Sequence, residues 1–344
     1  MKPIDIVNEA LNHNPPERTP VMPLIGLYSA NLAQMTISDL LHDSAKQATA
    51  QLHALERFEY DGVITCMDLT AEAEVLGAEV VFQKKGFPYV KKHPYSGDSD
   101  LDKIGMPPIK DTRLQVFVDT TRKLVEAVGD SHLVSSYVIG PFTLAGHLLG
   151  VDSLLELTVE DPEKAIATTA LCAELIQPYI DALASAGSHN IIILEPTASA
   201  SIISPRFFKK FVVPSLSKLN HQIKSQGAFA TLHICGQTTK ILDEMYSTGA
   251  SAISIDAAVD LALAINKSQK KAAVIGNVDT SLMLTGTPTD VLQEGRRCIE
   301  RANTASGGHI LSTGCDVPLE TPIENVDALV RAARGPSNGV AKPQ

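Results

Sequence analysis

Asn190-Ile191-Ile192-Ile193-Leu194-Glu195 carries an unbroken apolar run straight into a carboxylate. A half-exposed strand alternates apolar and polar residues. A continuous β-branched run reads instead as a strand covered on both faces, the condition of a parallel sheet flanked by helices. Similar runs occupy residues 62–66, 133–139, 229–235, 252–256, 272–276 and 309–313, and residues 21–26 supply an eighth. Between them lie helical stretches at 112–128, 161–186, 205–225, 289–303 and 323–334. Asp161-Pro162, Ser204-Pro205 and Thr287-Pro288 each place a capping side chain before a proline at the first helical position. Thr321-Pro322-Ile323-Glu324 predicts a capping box.

Eight strands with helical crossovers predict an α/β fold, a single (β/α)8 TIM barrel over residues 1–334 with an N-terminal helical extension at 3–13. Residues 81–110 read as an irregular excursion or lid, and 335–344 as a disordered tail. The competing doubly wound sheet lacks its signature, since no strand is followed by G-x-G-x-x-G or a Walker loop.

Catalytic groups of a barrel stand where strands end. The polar residues at those places are Asp68, Tyr137, Glu195, His233, Cys235, Asp256, Asn277, Asp279, Cys315 and Asp316. Within Leu232-His233-Ile234-Cys235-Gly236, His233 and Cys235 are two apart on a strand and share a face. Cys315, in Gly314-Cys315-Asp316, ends the last strand. One imidazole and two thiolates are ligands that zinc prefers, and three protein ligands leave its fourth position open for chemistry. Such a sulfur-rich zinc is a weak Lewis acid, suited to ionising a thiol and leaving it nucleophilic. Asp256 reads either as an exchangeable fourth ligand or as a helix cap or supporting acceptor. Glu195 reads as catalytic or substrate-orienting, with a structural ion pair as the other reading. Cys172 and Cys298 fall within amphipathic helices and are expected to be buried.

The net charge of −10, with no long basic run, argues against nucleic acid and anionic membranes as partners. No signal-like N-terminus or 18-residue apolar run is present, which predicts a soluble cytoplasmic protein. Five cysteines in so long a chain do not make a disulfide framework.

Taken together, Arg18-Thr19-Pro20-Val21, Met67-Asp68-Leu69-Thr70 with Glu72 and Glu74, Gly140-Pro141-Phe142-Thr143, the His-x-Cys segment, Gly276-Asn277-Val278-Asp279 and Gly314-Cys315 running into Thr321-Pro322-Ile323-Glu324-Asn325 resemble the uroporphyrinogen decarboxylase superfamily. Within it they resemble the zinc-dependent methylcobalamin:coenzyme M methyltransferases. The resemblance implies zinc on His233, Cys235 and Cys315, and methyl transfer from a corrinoid, methylcobalamin or a methylated corrinoid protein, to a zinc-bound thiolate. Tyr137, Asn277 and Asp279 become candidate corrinoid contacts. Asp256 matches the place of a carboxylate in the related cobalamin-independent methionine synthases, as Asp where Glu is usual.

Decarboxylases of this superfamily carry arginines after the first strand. Here Leu24-Ile25-Gly26-Leu27-Tyr28-Ser29-Ala30 has none. The corrinoid-binding D-x-H-x-x-G begins at Asp130-Ser131-His132 but has Ser135 in the glycine position, so the corrinoid is expected on a separate protein. Homocysteine as acceptor, a decarboxylase-like lyase and a non-catalytic corrinoid-protein-binding barrel are the alternatives.

Overall fold

The computed structural model describes residues 1–83, 86–95, 103–305 and 307–334. The expected tail and residues 84, 85 and 96–102 of the excursion lie outside the described residues. Nine strands occur among those described: β1 Gly62–Ile64, β2 Glu79–Val81, β3 Tyr89–Lys92, β4 Leu133–Ile139, β5 Asn190–Leu194, β6 Phe229–Ile234, β7 Ala252–Ile255, β8 Ala273–Val278 and β9 His309–Thr313. Seven of them form one parallel sheet in the order β1-β4-β5-β6-β7-β8-β9, each joined to the next through helices. Every residue of β4, β5, β7, β8 and β9 is buried, which is why these runs do not alternate.

The eighth place in the barrel is filled, but not by the expected strand over 21–26. Leu311 N–H donates to the Pro20 carbonyl (2.9 Å), Met22 N–H to Leu311 (2.8 Å), and Asp61 N–H to Val21 (2.8 Å), so this segment joins β9 to the start of β1. Only Val21 counts as a bridge. Pro20 and Pro23 have no N–H to donate, and the chain turns at once, with Ile25 N–H bonded to the Pro23 carbonyl. The seam is pinned from below by Asp61, whose buried carboxylate accepts from both Arg18 terminal nitrogens (2.7 and 2.6 Å) and from Val21 N–H (2.7 Å).

Inside the barrel, Met22, Leu133, Ala252, Ala273 and Ile310 pack at the strand starts against Val7, Ala10 and Leu11 of the helix Pro3–Leu11. That helix plugs the floor. Gly308 makes the plug possible, because a Cβ there would run into the Ala10 carbonyl. Above it Leu24, Ile64, Tyr137, Ile192 and Leu194 form a second interior layer beneath the mouth.

Asp161, Ser204 and Thr287 cap their helices as expected. Thr321 does not: its hydroxyl is buried without a partner, so the capping box at Ile323–Arg334 is absent. The expected helix at 205–225 is interrupted by a π-turn at Phe208–Val212. In the excursion, β2 and β3 pair as an antiparallel hairpin where the sequence suggested only irregular chain. Phe82, just past β2, lies 5.0 Å under the Arg113 guanidinium and holds the hairpin down. All five cysteines are free, with Cys172 and Cys298 buried. Among the described residues no single helix is long and apolar enough to cross a membrane.

Candidate metal centre

His233 lies on β6 opposite Ser254 of β7, and its ring is 2 % exposed. The Ser254 hydroxyl is 2.9 Å from His233 Nδ1, which leaves Nε2 facing Cys235. Beyond the end of β6, Cys235 Sγ stands 3.0 Å from that Nε2 and 3.3 Å from Cys315 Sγ. All three ligand atoms lie within 4.8 Å of one another. The two sulfurs are partly exposed to the mouth while the imidazole is buried. This is the one cluster of its kind among the described residues.

Two glycines bring the ends of β6 and β9 together although two strands separate them. Gly236 turns the chain with φ of 76°, a conformation L side chains rarely adopt. A Cβ on Gly314 would sit 2.6 Å from the Ala257 nitrogen, so only glycine lets Cys315 approach the β7 end.

Tetrahedral zinc with bonds of about 2.0–2.3 Å spaces its donors about 3.6–3.8 Å apart. The three donors are within a few tenths of an ångström to one ångström of that spacing, and their chemistry suits the ion. The residues fit zinc. The two sulfurs behave as one acid. Their mutual hydrogen bond, then burial, pushes the Cys235 thiol up. The same bond, helped by His233, holds Cys315 down.

Asp256 is not part of the cluster. Its carboxylate accepts from Gly236 N–H (3.0 Å) and Ala258 N–H (3.0 Å), tying the turn after Cys235 to the turn after β7. Asn277 in turn donates to the carbonyls of Asp256 (3.0 Å) and Val259 (2.7 Å), so its amide nitrogen braces this loop. Asp279 is exposed and caps the helix Thr280–Thr285 through Ser281 N–H (2.7 Å). Tyr137 does stand near the cluster, in the upper interior layer. Burial first, then the nearby Asp316, Cys315, Cys66 and Cys235, hold its hydroxyl un-ionised.

Among the described residues Glu195 makes no ion pair, and it is fully buried. Its carboxylate accepts from Phe142 N–H (3.0 Å), Thr143 N–H (2.6 Å) and the Thr143 hydroxyl (2.5 Å), which caps the helix Pro141–Leu149. Burial pushes its pKa up to about 7 against the lowering by those donors. Asp68 is likewise occupied, by Thr70 and by Arg113 Nη1 (2.6 Å), while Arg113 Nε donates to Glu74 (2.5 Å). Asp316 holds Gly26 N–H with one oxygen (3.0 Å), and its other oxygen is buried with no hydrogen-bond partner among the described residues.

Sequence reasoning missed Ser254 and Arg113. The signal for Ser254 was a lone hydroxyl in the apolar run Ala252–Ile255, in register with His233. For Arg113 there was none, because its partners lie 39 and 45 residues away.

The profile describing uroporphyrinogen decarboxylase (URO-D) matches residues 2–335. Methylcobamide:CoM methyltransferase MtbA of Methanosarcina acetivorans is 29 % identical over 96 % of this chain and 97 % of its own. MtbA of Methanosarcina mazei is 31 % identical over 80 % of each. A solved methyltransferase from Methanosarcina mazei superposes with a TM-score of 0.88 at 24 % identity, covering 96 % of this chain and 98 % of the other, and establishes the barrel. The chain belongs to the uroporphyrinogen decarboxylase (URO-D) family.

Proposed function

We propose that this chain is a zinc-dependent methyltransferase that moves a methyl group from a methylated corrinoid to a thiol, coenzyme M. The observation that carries the reading is the His233–Cys235–Cys315 cluster, whose sulfurs open to the mouth. The names of the two MtbA relatives support the donor and the acceptor. Zinc held by these three residues would supply a Lewis acid of low net charge at which an incoming thiol gives up its proton.

The chain's own residues prepare that place. Ser254 fixes the His233 ring so that Nε2 is the free nitrogen. Asp256 holds the Gly236 turn and so fixes where Cys235 stands. Tyr137 belongs to the buried layer beneath the mouth. Glu195 caps the helix Pro141–Leu149 and serves the fold beneath the mouth.

Asp256→Ala is expected to weaken zinc about 10–100-fold, the usual worth of a group that orients a metal ligand. Chelator competition measures this directly. An unchanged affinity would mean that the turn holds itself without the carboxylate.

Homocysteine is the second reading, favoured by one observation. The partnerless buried oxygen of Asp316, next to Cys315, would gain a hydrogen-bond partner from an ammonium group. Anaerobic visible spectroscopy of methylcobalamin with zinc-loaded protein separates the two readings. Conversion to cob(I)alamin on addition of coenzyme M is the expected result, and a faster reaction with homocysteine would reassign the acceptor. No conversion with either thiol, with free or protein-bound corrinoid, would end the proposal.

A further inference from the structure

Residues 196–242 contain no Asp or Glu and six Lys or Arg, in a chain whose 39 acids outnumber its 29 bases. This segment builds the loop after β5, the helical run that follows it, β6 and the loop after β6. It is therefore the side of the barrel that carries His233 and Cys235. Lys218 is tied to Glu174 and Lys224 to the Gly249 carbonyl. The other four, Arg206, Lys209, Lys210 and Lys240, are exposed and make no ion pair among the described residues.

All four stand at the mouth. Arg206, Lys209 and Lys210 occupy the first turns of the run capped by Ser204, at the end of the barrel to which β5 points. Lys240 lies in the short helix Thr239–Ile241, just after the Cys235-Gly236 turn. The two loops touch, since a Cβ on Gly236 would be 3.5 Å from the Ser199 hydroxyl. Ile202, 47 % exposed, adds an apolar residue to the same loop. Four like charges on adjoining loops, with no ion-pair partner among the described residues, repel one another and add no salt bridge to the fold. On a protein of net charge −10 they are unpaired cations on the two loops that flank the His233–Cys235 side of the mouth.

We propose that this sector is the docking surface for an acidic protein that presents the methylated corrinoid to the mouth; the assignment rests on the corrinoid reading above. Four cations spread over two loops, with an apolar residue among them, suit a protein surface with a charged rim. A free corrinoid offers a single phosphate, too little to occupy them. Opposite charge at this place would speed encounter and orient the carrier with its methyl group toward the sulfurs, an effect that salt weakens.

The test compares two methyl donors with zinc-loaded enzyme: a methylated corrinoid protein purified from Methanosarcina mazei, and free methylcobalamin. The variants are R206E/K209E/K210E and K240E, with K123E/K271E, two exposed lysines far from the mouth, as control. With the carrier, the triple variant is expected to lose roughly 30-fold in kcat/KM, mostly through KM. The wild-type rate should fall about tenfold between low and physiological salt and the variant's should not. Turnover of free methylcobalamin should stay within about twofold throughout. Equal losses with both donors would overturn the proposal and give the sector to the corrinoid itself. No loss with the carrier, or an equal loss in the control, would also overturn it. A wild-type enzyme that demethylates neither donor would instead remove the functional reading, and the docking assignment with it.

Discussion

Cys235→Ala is expected to take bound zinc from one ion per chain to none and to lower methyl transfer by on the order of a thousandfold or more. Residues that merely orient a metal ligand are worth about 10–100-fold, and a ligand itself is worth more. Cys235 is also the hinge of the cluster, touching both His233 Nε2 and Cys315 Sγ, so its loss leaves two donors that no longer share a neighbour. The fold should survive. Cys235 is partly exposed and lies outside the apolar core, where substitutions cost within about 1 kcal/mol. Cys298→Ala is the matched control: it deletes a buried thiol from the core and should retain full zinc. Metal analysis, thermal unfolding and the methylcobalamin assay together check the prediction. A Cys235→Ala enzyme that keeps its zinc, or keeps its rate without zinc, would sink the proposed centre.

Much of this architecture was legible because burial leaves a simple mark. A strand covered on both faces cannot alternate, and Ile191 to Leu194 showed this before any contact was known. The metal cluster was legible for a related reason. The side-chain period of two put His233 and Cys235 on one face, and the barrel's geometry allowed the end of β9 to meet them. One expected strand did not form, and some site residues were harder to read. Val21–Gly26 has a strand's composition, but Pro20 and Pro23 remove the N–H groups a ladder needs. Asp256, Asn277 and Asp279 stand at strand ends, and each carboxylate or amide also bonds backbone groups of the neighbouring loops. A strand end demands such acceptors and donors whether or not it does chemistry, and sequence position does not separate the two uses.

Glu195 makes the same point with the larger consequence. Glu195→Ala is expected to destabilise the protein by on the order of 3–5 kcal/mol while leaving the zinc content, and the kcat of folded enzyme within about threefold, intact. Removing the carboxylate strands two backbone N–H groups and a hydroxyl in a fully buried place, at about 1–3 kcal/mol each before relaxation. Gly140 cannot compensate, since its missing Cβ is what lets the carboxylate approach. The pH dependence has a definite sign. Burial raises the Glu195 pKa from 4.5 to about 7, so the folded protein favours the protonated form. Its contribution is therefore greatest below pH 4.5 and declines as pH rises through 7. The stability gap between wild type and variant should be wider at pH 5 than at pH 8, by on the order of 3 kcal/mol at most. Chemical denaturation at the two pH values measures the gap, and single-turnover methyl transfer measures the chemistry. A gap that widens with pH would mean that the carboxylate is ionised in the fold. A fully stable variant with a hundredfold slower methyl transfer would restore Glu195 to the reaction itself.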